Sequence, residues 1–216
     1  MNNKILITVV SAIAIVGFLF VAYQLTNNGQ SSSVVNPNVS VINATDHVEW
    51  SPDKKNILVE YADFQCPSCA EFHAFLKQME ASGSADSKII KNITFVERDF
   101  PLYQIHDKAY DSAYAAEAAG LQGKYFEMAD LLFTNQQRWE NDPNYKNTFV
   151  SFAKQLGLNV DQFQKDWNSK EVKDKVNNDL LSGQQAGVDA TPTFYLNGKK
   201  LSITSFDQFK TLLLSP

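Results

Sequence analysis

"EYADFQCPSCAEFH", residues 60–73, holds the only two cysteines of this 216-residue chain. Ahead of them "NILVEYADF" (56–64) is an apolar, β-leaning run; after them Phe72, Phe75, Leu76 and Met79 recur at helical spacing. The stretch therefore reads as a strand followed by a helix, with Cys66-Pro67-Ser68-Cys69 at the junction. A sulfur in the first turn of that helix faces unpaired backbone N–H groups and the positive end of the helix dipole, which favour thiolate over thiol. Pro67 suits the first helical position, where no N–H is needed and φ is already near the helical value. Cys69 stands one turn on, so the two sulfurs can close a short disulfide ring that an external thiolate opens again through a mixed disulfide. Cys66 is expected to be the exposed nucleophile with a lowered pKa, and Cys69 the resolving thiol.

The same spacing serves metal sites, although zinc usually takes four ligands and no second cysteine pair exists here. His73 follows Cys69 by four residues on one helix face, which keeps open a copper-handling or peptide-binding module built on Cys66, Cys69 and His73. His47 and His106 have no ligand partners in sequence, and neither a metal nor another cofactor is assigned. Glu60 stands six residues before Cys66 in an otherwise apolar strand, where a charge is costly to bury. A carboxyl there with a raised pKa can exchange a proton with Cys69; a solvated strand position is the plainer alternative. Thr191-Pro192 opens a later strand, and a cis bond at that point would expose the Thr191 backbone for pairing with an extended peptide.

Ile5 to Leu25 contains no charged residue and is long enough to cross a bilayer as a helix. No good small-x-small cleavage site follows, and Lys4 precedes the run while the next Lys or Arg is Lys54. The expectation is an uncleaved anchor over residues 1–25, a flexible Ser- and Asn-rich linker over 26–38, and a working domain outside the cytoplasm. The composition, 44% hydrophobic and 12% aromatic with a net charge of −5, supports a sizeable core and argues against nucleic-acid binding. A single cysteine pair this close in sequence braces little of a fold, so its role reads as chemical. No separate dimerisation region is visible before Trp50, and a monomer is expected.

"NITFVERDFPL" (92–102) reads as a second strand, after which the period turns helical from His106 to about Gly187. "TPTFYLNGKKLSI" (191–203) carries two β-like runs joined by Asn197-Gly198, a strong hairpin signal, and "SFDQFKTLLL" (205–214) closes as a helix with Ser205 and Gln208 spaced as a capping box.

Taken together, "VEYADFQCPSCAEFH", "VERDFPL" followed closely by His106, the helical "AYAAEAAGLQGKYFEMADLLFTNQQRW" and "GVDATPTFYLNGKK" resemble the DsbA-like family of thiol-disulfide oxidoreductases over about Val41 to Leu214. The resemblance implies an α/β, thioredoxin-like core over 39–104 and 186–216, with an all-helical insertion over 105–185. It implies Cys66 as attacking thiol, Cys69 as buried partner, Glu60 as buried acid and Pro192 as a cis-proline beside them, with Thr191, Pro67 and Ser68 lining the substrate side. It further implies exported protein substrates with cysteines and a membrane redox partner. The best-known enterobacterial oxidases carry Pro-His between the cysteines, where this chain has Pro67-Ser68, so the direction of electron flow stays open. Introduction of disulfides is the leading expectation; reduction or isomerisation on the same fold is the alternative.

Overall fold

The computed structural model describes Gly17, residues 35–81 and residues 85–214. The segment read as an anchor thus lies outside the described residues apart from Gly17, and among the described residues no helix is long and apolar enough to cross a membrane. The linker boundary needs correction at its C-terminal end. Val35 makes a bridge to Lys199, the Asn36 amide donates to the Gly198 carbonyl at 2.8 Å, and a 3-10 turn runs over Pro37–Ser40. Residues 35–38 therefore belong to the folded domain, because the hairpin edge supplies their backbone partners.

One five-stranded sheet organises the domain, with strands β1 (His47–Trp50), β2 (Ile57–Ala62), β3 (Thr94–Asp99), β4 (Thr193–Leu196) and β5 (Lys199–Lys200) in the spatial order β1-β3-β2-β4-β5. β2 and β3 are parallel; the other neighbours are antiparallel. The central strands are covered on both faces; β2 and β4 accordingly read as largely apolar runs, while β3 carries Glu97, Arg98 and Asp99 at buried positions. Leu58 on one face joins Leu76, Phe95, Phe194 and Phe209, while Val59 and Tyr61 on the other pack with Val96, Phe100, Leu180 and Tyr195. Asn197 and Gly198 both have positive φ, 51° and 81°, as a tight β4–β5 hairpin requires.

Helix α1 (Pro67–Ala81) follows β2, and α2 (Ala85–Ile90) precedes β3. Between β3 and β4 lie α3 (Ala109–Gly120), α4 (Tyr125–Thr134), α5 (Gln136–Trp139), α6 (Tyr145–Gln155), α7 (Val160–Trp167) and α8 (Lys170–Ala186), and α9 (Phe206–Leu214) is the last described element. Six buried alanines on α3, Ala109, Ala113, Ala115, Ala116, Ala118 and Ala119, offer little bulk, so α4, α7 and α8 can pack closely around it. Their shared core includes Met128, Phe133, Trp139, Phe149 and Phe163, and it runs continuously to Phe64, Cys66 and Cys69. The cysteines thus sit where the helical block meets the sheet.

Three elements differ from the sequence expectation, the first being α2, where a single helix was read between the first two strands. The short strand β1 was not anticipated, and it pairs along β3 with His47 opposite Glu97 and Trp50 opposite Thr94. Arg98 draws in the chain before it, pairing both oxygens of Asp46 at 2.8 and 3.0 Å and donating to the carbonyls of Val39 and Val41. At α9 the Ser205 hydroxyl accepts from the Gln208 amide, but the Gln208 side chain reaches the Thr204 amide instead of completing a reciprocal box with Ser205.

Candidate active site

The site is built on the turn that joins β2 to α1. The Cys66 amide donates to the Asp63 carbonyl at 3.0 Å, and α1 starts at Pro67 with the Cys66 carbonyl accepting from the Ala70 amide at 3.2 Å. Asp63 is buried and organises the turn: its carboxylate accepts from the amides of Gln65 and Leu102 and pairs with His106 Nδ1, each at 2.8 Å. That bond to Asp63 raises the His106 pKa above the ordinary histidine value. Gln65 ties the same turn to the segment after β3, through Asp107 and the Lys108 amide. From α5, the buried Gln136 Nε2 donates to the carbonyls of Phe64 and Cys66 at 2.7 and 2.9 Å.

The two thiols sit in opposed environments. Cys66 is lowered to about 6, first by the hydrogen bond it accepts from the Cys69 thiol, then by the Thr191 side chain and the amides of Cys69 and Ser68, all working against its burial. Cys69 is pushed well above the usual thiol value by burial, by the bond it gives to Cys66, and by the charges of Cys66 and Glu60. Glu60 is buried at 4% exposure, and its carboxyl is raised well above the usual range by that burial, by Glu97 beside it and by Cys66.

Thr191 reaches the pair from β4's start: its carbonyl accepts from Cys66 Sγ at 3.3 Å, and the Thr191–Pro192 peptide is cis. Pro192 is half-buried, while Pro67 and Ser68 are exposed on the outer turn of α1. The structure therefore brings Cys66, Cys69, Glu60, Thr191 and Pro192 into one place from β2, α1 and the approach to β4. Two expectations need adjustment. Cys66 is only 7% exposed, against 0% for Cys69, because Thr191 and the helical core close over most of it. Its largest stabilisation as thiolate comes from the neighbouring thiol, with backbone amides contributing less.

His73 turns to α4 instead of joining Cys69. Its Nε2 meets Asp130 Oδ1 at 2.8 Å, and its ring lies 4.8 Å from that of Phe133. Among the described residues the group of ligand atoms spaced for a metal is Asp99, Glu117 and Asp179, which leaves out Cys66, Cys69 and His73. The Lys175 ammonium already sits at 2.5 Å from Asp179 and 3.1 Å from Glu117 in that group. Sequence reasoning missed Asp63 and Gln136. Asp63 carried a usable signal, an acid three residues before Cys66 at a helix start; Gln136, seventy residues on, carried none.

A family model described as Thioredoxin matches residues 43–214. A Na(+)/H(+) antiporter NhaA 1 from Mycolicibacterium gilvum (strain PYR-GCK) is 36% identical over 157 residues, covering 72% of this chain and 24% of that protein. The chain thus spans about a quarter of the length of the curated relatives it matches. BdbD from Bacillus subtilis has a similar fold, with a TM-score of 0.67 at 20% identity over 79% of this chain and 91% of that one. So has the thiol-disulfide exchange protein alpha-DsbA2 from Wolbachia pipientis, with a TM-score of 0.67 at 18% identity over 88% of this chain and 96% of that one.

Proposed function

The chain belongs to the Thioredoxin family and has the fold of DsbA-type proteins, and from that premise we propose that it is a thiol-disulfide oxidoreductase that introduces disulfides into exported proteins. The observation that carries this reading is the split in ionisation between two adjacent thiols, Cys66 lowered to about 6 and Cys69 raised. A substrate thiolate attacks Cys66 of the Cys66–Cys69 disulfide, and the electron pair of the broken S–S bond leaves on Cys69, which takes a proton from Glu60. A second substrate thiolate then attacks the substrate sulfur of the mixed disulfide and expels Cys66 as thiolate. A low pKa makes Cys66 a good leaving group, and stabilising the reduced form makes the oxidised form a stronger oxidant. A membrane partner that accepts the two electrons restores the disulfide.

The Thr191 carbonyl beside Cys66, together with exposed Pro67 and Ser68, suits an extended substrate segment lying across the pair. The uncharged Ile5–Leu25 run with Lys4 ahead of it supports a single-pass membrane anchor with the domain outside the cytoplasm. The reductase or isomerase alternative uses the same atoms with electrons flowing the other way. The reduction potential against a glutathione buffer separates the two. A value above about −200 mV is expected, and a value near about −270 mV, as for thioredoxin, would reverse the assigned direction.

A further inference from the structure

Glu60 is not the only acid on its face of the sheet. β2 and β3 run parallel with Glu60 opposite Glu97, so the two carboxyls stand on neighbouring strands, about 4.8 Å apart at the backbone, and point to the same side. Glu97 is as deeply buried, at 3% exposure, and its Oε1 has no hydrogen-bond partner. On its other flank β1 places His47 opposite Glu97.

His47 Nε2 in turn donates to Glu117 Oε2 at 2.8 Å, and its ring stacks on Tyr125 at 3.7 Å. It fits because α3 ends in Gly120; a Cβ there would come within 2.7 Å of the imidazole. His47 and Glu117 line a cavity of about 840 Å³ together with Asp46, Gly120 and Lys175, and none of the residues around Cys66 takes part in that lining. Side-chain exposure rises to 18% at His47.

Glu60 must return its proton to water once it has exchanged with Cys69, and a substrate bound across Cys66 covers the near route. We propose that Glu97 is the second acid of a buried relay, carrying the Cys69 proton between Glu60 and the His47–Glu117 pair that lines this cavity. The inference rests on the exchange chemistry proposed above. When Cys69 attacks a mixed disulfide at Cys66, its S–H proton goes to Glu60, the new S–S bond forms, and the external thiolate leaves. The proton then moves from Glu60 to Glu97 and out past His47; it returns the same way when Cys69 is the leaving group.

Charges around Glu97 suit this use. Around it stand Glu60 from β2, His47 and Glu49 from β1, Asp99 from its own strand, Glu117 from α3, and Tyr125 and Asp130 from α4, while Lys175 and Asp179 from α8 act on Asp99 and Glu117 one step further on. Burial raises Glu97 to about 8, with Glu49 and Asp130 adding to it, and two acids side by side do not both ionise readily. The pair therefore keeps at least one proton at neutral pH.

The test uses full-length protein carrying glutathione on Cys66, with glutathione release followed from about pH 5 to 8. Glu97→Gln is expected to slow release about tenfold or more near neutrality and flatten its pH profile, while Glu97→Asp recovers most of the rate. Release from Glu97→Gln at the parental rate across the range overturns the relay, as does equal slowing in Glu97→Gln and Glu97→Asp, which would mark a packing role. If Glu97→Gln does not fold, His47→Gln replaces it: slower release that depends on buffer concentration supports the exit, and the parental rate overturns it. A parent that releases no glutathione defeats the exchange reading itself, a result distinct from a competent parent matched by its variants.

Discussion

Removing the hydrogen bond that Cys69 gives to Cys66 should uncouple the reactive thiol from its low pKa. That bond is the largest stabilisation of the Cys66 thiolate. Hydrogen bonds to charged groups contribute about 1.5–3 kcal/mol, and one pKa unit corresponds to about 1.4 kcal/mol, so Cys69→Ala should raise Cys66 by about one to two units. From a starting value of about 6, the variant should titrate at about 7 to 8, and its thiolate fraction at neutral pH should fall from about 0.9 to between about 0.5 and 0.1. Cys69→Ser keeps an O–H donor at nearly the same position and should stay within about half a unit of the parent. The assay is the pH dependence of Cys66 alkylation by iodoacetamide, which reports only this thiol because Cys69 is fully buried and raised. The reasoning is refuted if Cys69→Ala titrates with the parent, or if serine and alanine shift Cys66 equally.

The same depressed pKa has a stability consequence in the reduced protein. A thiol whose folded value lies below its unfolded one contributes stability above the unfolded value and loses it as pH falls through the folded value, here about 6. The melting stability of reduced parent relative to Cys66→Ser should therefore grow from about pH 6 to 7, by about 0.5–1 kcal/mol after allowance for solvent screening, and a flat difference would contradict it. Gln136→Leu leaves the buried carbonyls of Phe64 and Cys66 without a donor, so a loss of about 2–4 kcal/mol in denaturant unfolding is expected, with altered Cys66 alkylation. Gly183→Ala places a Cβ 2.5 Å from the Phe100 ring and 3.0 Å from Tyr61; overpacking of about 1–3 kcal/mol should lower the melting temperature and leave Cys66 alkylation unchanged.

What the sequence by itself determined is the part governed by local chain geometry. The start of α1 is set by Pro67 and the apolar spacing after it, and the β4–β5 turn by Asn197-Gly198, so the position of the thiols at a helix start was legible without any distant contact. The change of period after Leu102 announced the helical block for the same reason. Tertiary structure decided what depends on partners far along the chain. β1 is a four-residue strand that exists because β3 offers it an edge and Arg98 clamps the segment before it, neither of which appears in its own composition. A strand covered on both faces gives no alternation from which to tell where Glu60 points, so only the β2–β3 register reveals that it stands beside Glu97. Likewise the low Cys66 pKa comes first from the side-chain bond with Cys69, and the carbonyl that meets Cys66 Sγ belongs to Thr191, 125 residues away, because hydrogen bonds act across space at about 3 Å while sequence records only neighbours along the backbone.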